Sequence, residues 1–164
     1  KINQKEETEA LKQLLLSCES QEREPVYSQT AAVHDENDYG NTYVEINLTA
    51  QHLFFYKEGK LVVESDFVSG NESRGWSTPA GAYPLTYKQR NATLKGQNYA
   101  TPVSYWMRVT WTGVGFHDAI WQSAFGGTIY QTNKGSHGCI NMPLNMAASL
   151  YDQLSVGTPV IIHE

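Results

Sequence analysis

Apolar side chains near the start of the chain recur with the period of a helix. Four of them follow the i, i+3, i+4, i+7 spacing of one helical face: Leu11, Leu14, Leu15 and Cys18. The spacing predicts a helix over residues 3–20 whose apolar face packs against a neighbour, with Cys18 as a small buried side chain. Residues 21–40 are polar and contain Pro25, which is typical of a connector. We therefore interpret residues 1–40 as the tail of a preceding domain or as a connector made of the helix and a linker.

From Tyr43 the period changes to two, which indicates strands. Residues 43–48 alternate between apolar and polar side chains, and the runs at 52–56 and 61–68 predict a β-hairpin with Gly59 near its turn. Further strands are predicted at residues 83–87, 105–112, 114–117 and 160–162.

The segments between these strands have other patterns. Residues 88–101 are polar without a clear period and are expected to form a flexible loop or a lid. Residues 118–135 contain several glycines and predict a long loop, while the apolar spacing after Pro143 predicts one helix. Residues 41–164 are thus expected to form one mostly β domain with one helix.

The composition shifts at the same place as the period. Nine acidic and four basic residues lie within residues 1–40, residues 41–164 carry eight of each, and all 13 glycines lie at position 40 or later. These shifts place a domain boundary near Gly40.

The overall composition excludes several classes of protein. Aromatic residues make up 12% of the chain, enough for a substantial core, and the net charge of -5 comes without the basic stripe that nucleic-acid binding requires. No apolar run approaches the roughly 20 residues of a membrane span. The chain begins with Lys1, so we interpret it as a mature or excised fragment whose targeting segment is missing.

Residues 136–141, which read Ser-His-Gly-Cys-Ile-Asn, carry the candidate chemistry. Cys139 lies between a glycine and a predicted helix start, and both a helix N-terminus and a nearby imidazolium favour the nucleophilic thiolate. Gly138 lets the backbone approach a reacting carbonyl, and the N–H groups around Cys139 are candidate oxyanion donors.

A nucleophilic thiol also needs a base, and two histidines are candidates. His137 is two residues from Cys139, a spacing that seldom presents the ring to the thiol in an extended loop. We therefore favour His117, with either its neighbouring backbone carbonyl or the Asp118 carboxylate fixing the tautomer. His137 is expected to line the site and to help hold the oxyanion region.

Other interpretations of these residues stay open. Cys139 is alternatively a buried apolar side chain or a disulfide partner of Cys18. His117, His137 and Cys139 have the right chemistry for zinc but supply only three ligands. The remaining histidines are expected on the surface or in the sheet: His34, His52 and His163.

The segment 136–141, together with His117 upstream and the Thr-Pro-Ala-Gly run at 78–81, resembles the L,D-transpeptidases, also called the YkuD domain family. The resemblance covers residues 43–163. The residues around Tyr99 resemble the family's active-site lid.

One departure from the family is visible. The interval between His117 and Ser136 is slightly longer than usual, and the extra length falls in the glycine-containing loop 122–135. This difference concerns the wall of the pocket rather than the assignment of His117.

The resemblance implies a β-sandwich-like catalytic domain that acts on peptidoglycan at the cell-wall side of the membrane, anchored by a missing N-terminal segment. In this family a cysteine thiolate attacks the carbonyl of the third residue of a tetrapeptide stem and releases D-Ala. The acyl group then passes to an amine of another stem, which gives a 3→3 cross-link. Carbapenem β-lactams acylate the same cysteine, and no cofactor is implied. Gram-positive members carry a helical or mixed domain before the catalytic one, and residues 1–40 resemble its end.

Side chains that would hold a stem peptide are predicted on both sides of the thiol. The aromatic candidates for the walls are Tyr99, Tyr105, Trp106 and Trp121, and the polar candidates are Ser136 and Asn141. Three alternatives to the transpeptidase remain: a hydrolase that passes the acyl group to water, a non-catalytic cell-wall binding module, and a metalloamidase.

Overall fold

The computed structural model describes residues 1–28, 30, 38–96 and 99–164. The chain divides into two compact units, Lys1–Gly40 and Asn41–Glu164. In the described part of the chain, no helix combines the length and the apolar character needed to cross a membrane. The predictions for His34 and for the connector at residues 29 and 31–37 fall outside the described residues.

In the part of the first unit that the structure describes there is one helix, α1 (Gln4–Ser17), which lies within the predicted range. It begins where the Asn3 side chain accepts a hydrogen bond from the Glu6 N–H, a typical N-cap. The Glu7 carboxylate binds Arg23 at 2.7 and 2.9 Å and also accepts from the Val26 N–H at 2.7 Å. Arg23 and Val26 together lower the pKa of Glu7 to about 2.

The expectation of a buried face on α1 is wrong. The helix has no buried residue, Leu15 is 77% exposed, and Cys18 is an exposed free thiol at the C-cap. The apolar spacing predicted the helix correctly, but these side chains do not form a core. The contacts within this unit are instead the Glu7–Arg23 ion pair and backbone hydrogen bonds.

In its described residues the second unit has nine strands, one α-helix and two short 3-10 helices, Glu72–Arg74 and Ile129–Gln131. The elements are β1 (Tyr43–Asn47), β2 (His52–Lys57), β3 (Lys60–Asp66), β4 (Gly81–Pro84), β5 (Tyr87–Gly96), β6 (Tyr99–Arg108), β7 (Gly115–Asp118), β8 (Ile140–Met142), α2 (Leu144–Gln153) and β9 (Pro159–His163).

The strands form two sheets with the orders β3-β2-β1-β9-β4 and β5-β6-β7-β8. The β1–β9 and β7–β8 pairs are parallel and the other pairs antiparallel. The mostly β fold class is confirmed.

One core cluster takes side chains from both sheets and from α2. Val44 and Ile46 of β1 are fully buried while Glu45 between them is not, as the alternation predicts. Ala147 and Leu150 supply the buried face of α2. A smaller cluster of Ala92, Val103 and Trp106 lies in the four-stranded sheet, with Cys139 packed against it.

Two sequence-based expectations require correction. Residues 88–96 and 99–101 do not form a loop, because they belong to β5 and β6, which pair as a long hairpin. The polar side chains of β5 are mostly solvent-exposed on both faces. The short strand β8 was not predicted, because its three residues are buried on both sides and carry no period. The expectation for His52 and His163 is confirmed, since they lie on β2 and β9.

Candidate active site

The turn that carries Cys139 is held between two backbone segments. Cys139 comes directly before β8, which pairs with β7 on one side. On the other side, residues 68–71 bond to the turn, with Val68 paired to Asn141 and Gly70 to Ser136. The nucleophile candidate is therefore fixed by strand-like pairing along both edges of its segment.

The pairing of β7 and β8 brings Cys139 and His117 to the same face. His117 lies opposite Asn141 in the parallel register, and Phe116 lies opposite Ile140. Because paired strand residues point to the same side, His117 shares its face with Asn141. Cys139, in the turn just before β8, reaches the same face, since it packs against the cluster of Trp106, which lies opposite His117 on β6. All three side chains line one cavity of about 750 Å³.

The hydrogen bond on His117 assigns its tautomer. Nδ1 lies 3.0 Å from the Asp118 backbone oxygen. A carbonyl only accepts, so in the neutral ring Nδ1 carries the hydrogen and Nε2 the lone pair. Of the two partners considered for His117, the structure thus has the carbonyl. The Asp118 carboxylate instead accepts from the N–H groups of Ser104 and Tyr105, both at 2.8 Å.

Burial disfavours the charged forms of both reacting groups. Burial lowers the pKa of His117 and raises the pKa of the Cys139 thiol to about 11, against a smaller lowering by the Gly115 backbone. The thiol also lies 3.7 Å from the Gly113 carbonyl, to which it donates. Both shifts favour the neutral forms, a thiol at Cys139 and a neutral imidazole at His117.

Cys139 was expected at the start of a helix, but it does not lie at a helix N-terminus. β8 and Pro143 separate Cys139 from α2, which begins at Leu144. The partial positive charge of a helix falls off within its first turn, so α2 does not stabilise a thiolate at position 139.

Two residues of the turn have backbone roles. Gly138 has φ +119°, a conformation that side chains disfavour, and a Cβ there would also lie 3.4 Å from Val114. The Ser136 hydroxyl donates to the Cys139 carbonyl at 2.5 Å and accepts from the Gly138 N–H at 3.0 Å. Ser136, predicted to contact substrate, lines the cavity, and its hydroxyl also holds the turn.

The His137 ring lies in an aromatic stack. Its centroid is 4.1 Å from that of Trp76 and 5.1 Å from that of Tyr99. Tyr99 is the first residue of β6, in the β5–β6 hairpin. Burial, and then the charge of Cys139, raises the pKa of Tyr99. His137 therefore lines the pocket while its ring stacks on Trp76 and Tyr99.

The loop 122–135 builds one wall of the cavity. Ser123, Ala124 and Ile129 lie on it, together with the run Thr132 to Gly135. The extra length noted in the sequence thus lies in the pocket wall. Sequence reasoning missed these residues because an irregular loop has no period to indicate which side chains face inward.

A pair of amides lies at the floor of this cavity. Asn141 is 4% exposed, and its Nδ2 donates to Gln122 Oε1 at 2.6 Å. Among the described residues, the buried atoms Asn141 Oδ1 and Gln122 Nε2 have no hydrogen-bond partner. Both side chains line the cavity, and these two atoms are closed to solvent.

The four predicted wall aromatics separate into two pairs. Tyr99 and Trp121 line the cavity, and the Trp121 ring is 5.9 Å from that of His117. Trp106 is buried, and its ring centroid is 6.0 Å from that of His117. Tyr105 points to the other face of β6 and packs on Tyr151 at 5.5 Å, because neighbouring strand residues face opposite ways. Tyr105 is therefore not a wall residue.

The metal and disulfide alternatives have little geometric support. Both cysteines are free thiols. Within residues 1–28, 30, 38–96 and 99–164, no three His, Cys, Asp or Glu side chains are grouped so that they could hold a metal ion.

Comparison with known proteins points to one family. The family model of the L,D-transpeptidase catalytic domain, YkuD, matches residues 41–162. A structure of an Enterococcus faecium L,D-transpeptidase, in a cysteine-to-serine mutant, is 41% identical with a TM-score of 0.83 and covers 99% of this chain and 65% of that one. The E. faecium catalytic domain acylated by ertapenem is 44% identical with a TM-score of 0.66, over 75% of this chain and 97% of that one.

A curated relative is more distant. L,D-transpeptidase 1 of Mycobacterium tuberculosis is 27% identical over 132 residues, which are 74% of this chain and 50% of that protein. The chain spans about half the length of this relative.

Proposed function

The chain belongs to the L,D-transpeptidase catalytic-domain family, and from that premise we propose that it is a cysteine acyltransferase of peptidoglycan stem peptides. Cys139 is the nucleophile, His117 the base, and the donor is a tetrapeptide stem that ends in D-Ala. The observation that carries the proposal is the common face of His117 and Cys139 across β7 and β8, at the wall of one cavity.

The first half-reaction forms a thioester. The Cys139 sulfur bonds to the carbonyl carbon of the third stem residue while its proton passes to His117 Nε2, and the carbonyl electron pair moves onto oxygen. When that oxyanion collapses, the bond to D-Ala breaks and the leaving nitrogen takes the proton from His117. Proton transfer during attack suits a site in which burial keeps both groups neutral at rest.

The second half-reaction transfers the acyl group to an amine. The amine of another stem bonds to the thioester carbon, His117 takes its proton, and the sulfur leaves and recovers a proton from His117. Holding that amine in line contributes several kcal/mol against attack by water. Asn141 and Gln122 line this cavity and are proposed as contacts for a stem peptide.

Two further expectations follow from this assignment. Carbapenems are proposed to acylate Cys139, since the E. faecium catalytic domain, 44% identical to this chain, is acylated by ertapenem. The site of action is proposed to be the cell-wall side of the cytoplasmic membrane, where stem peptides are cross-linked. Fractionation of cells that produce the natural protein checks the second expectation.

The test is product analysis with a tetrapeptide donor. We expect release of D-Ala and, when a second stem is added, a cross-linked product with a new amide bond. A tripeptide as the sole product in the presence of the acceptor would instead indicate the hydrolase. Absence of D-Ala release from any tetrapeptide stem would favour the non-catalytic binding module.

A further inference from the structure

A threonine far from the motif holds the peptide bond that precedes the nucleophile. The Thr78 hydroxyl donates to the Gly138 carbonyl at 2.8 Å, and it accepts from the Gly70 N–H at 3.0 Å. Thr78 is 5% exposed. Its hydroxyl thus joins two backbone segments that are distant in sequence.

The local sequence explains how Thr78 reaches this position. A residue before proline is restricted to extended backbone, so Pro79 limits the conformations of Thr78. Gly70 permits the close approach, because a Cβ on Gly70 would lie 1.8 Å from the Trp76 carbonyl oxygen and 2.9 Å from Gly138 Cα. The space between these segments holds the Thr78 hydroxyl, and position 70 has no room for a side chain.

The bond from Thr78 fixes the direction of an N–H group. In a trans peptide the C=O and the following N–H point in opposite directions, and the described chain has no cis bond. Since the Gly138 carbonyl points to Thr78, the Cys139 N–H points away from it. Glycine flanks this peptide and would otherwise let it rotate at little cost.

Building on the function proposed above, we propose that Thr78 is a positioning residue that holds the Cys139 N–H as an oxyanion donor. The Thr78 hydroxyl does not touch substrate. It acts through the Gly138–Cys139 peptide, so that the N–H faces the oxygen on which charge develops during acylation. A donor fixed before the reaction stabilises that charge without reorganisation.

Two reactions of the same thiol separate this role from packing. Acylation by ertapenem passes through an oxyanion, whereas alkylation by iodoacetamide displaces iodide at a saturated carbon and forms none. In Thr78→Val, which keeps the shape but loses the hydroxyl, we expect the rate of Cys139 acylation to fall at least tenfold; loss of one oxyanion donor lowers rates about 100- to 1000-fold. The rate of Cys139 alkylation is expected to stay at the wild-type value.

Two variants serve as controls for this experiment. Thr78→Ser keeps the hydroxyl and is expected to restore acylation. Thr86→Val removes a similar bond, from Thr86 to the Arg108 carbonyl at 2.9 Å, and is expected to change neither reaction. If Thr78→Val does not fold, Thr78→Ala carries the same comparison.

The outcomes are distinguishable. Acylation of Thr78→Val at the wild-type rate would overturn the role of Thr78 and leave the proposed function intact. Equal slowing of acylation and alkylation would show that Thr78 only packs the turn. A wild-type protein that alkylates at Cys139 but is never acylated would overturn the proposed function, and this inference with it.

Discussion

Cys18 and Cys139 carry the same thiol in two different regions. Cys18 lies exposed at the end of α1, and its sulfur contacts the Leu15 carbonyl of its own helix at 3.7 Å. Cys139 is half-buried in a turn held on both edges and shares a face with His117. The comparison teaches that exposure alone does not define a nucleophile for acyl transfer. A base and fixed N–H donors do, and they require the framework of the second region.

The largest expected effect is at the thiol itself. Cys139→Ala is expected to abolish D-Ala release while Cys18→Ala keeps the wild-type rate, because only the first thiol faces a base. Thermal unfolding measures the accompanying change in stability, and we expect the melting temperature of Cys139→Ala to stay close to that of the wild type. A large drop would mean that Cys139 serves mainly as packing against Trp106 and its neighbours.

The next largest effect separates the two histidines near Cys139. His117→Ala is expected to slow acylation about 100- to 10,000-fold, the usual contribution of a general base. His137→Ala is expected to have a smaller effect, since its ring stacks on Trp76 and Tyr99 rather than serving as the base. Single-turnover acylation rates check both variants, and equal losses would contradict the assignment.

The pH dependence of acylation sharpens the comparison further. Burial lowers the pKa of His117, so this base stays unprotonated below the ordinary histidine value of about 6.5. We expect the acylation rate of Cys139 to hold constant as the pH falls to about 6.5 and to decline only below it. Stopped-flow measurements across this range test the prediction. A decline that begins well above that pH would indicate an imidazole that is not buried.

A smaller effect on the rate is expected at Asp118. The His117 ring binds the Asp118 carbonyl, which every substitution keeps, so Asp118→Asn and Asp118→Ala are expected to acylate at close to the wild-type rate. Asp118→Ala leaves the N–H groups of Ser104 and Tyr105 without their acceptor, which is expected to lower the free energy of unfolding by about 1–3 kcal/mol. Chemical denaturation measures this loss. A large rate loss in Asp118→Asn would assign the carboxylate a part in the reaction.

The smallest effect on chemistry is expected in the region of Cys18. Glu7→Gln removes the charge that binds Arg23 and is expected to leave acylation unchanged. The pKa of Glu7 is lowered to about 2, so its stabilising contribution is present above the ordinary value of 4.5 and is lost as the pH falls towards 2. Amide exchange at Val26, whose N–H binds Glu7, is expected to be faster in the variant. Unchanged exchange would contradict this role.

Sequence patterns predicted the elements that bury one face. In β1 and α2, buried side chains recur at the period of the element, as Val44, Ile46 and Leu150 illustrate. The β5–β6 hairpin escaped prediction because only Ala92 of β5 is buried, which leaves no alternation to detect. On α1 the period predicted the helix but not its environment, because exposure depends on what lies beside an element.

The candidate site shows the same division. Residue chemistry and the motif were sufficient to choose Cys139 and His117. The period of two also implies that Tyr105 and Trp106 cannot face the same way, so one of them had to be excluded. The contact of Thr78 with Gly138 joins residues 60 positions apart, and no local pattern encodes such a distance.

The most direct test of the central claim is a timed mass measurement after addition of ertapenem, with the modified peptide identified. The account predicts one adduct per chain on the peptide that contains Cys139, an unmodified Cys18, and slower formation in His117→Ala. An adduct at Cys18, or none on a folded protein whose Cys139 thiol is free, would contradict it.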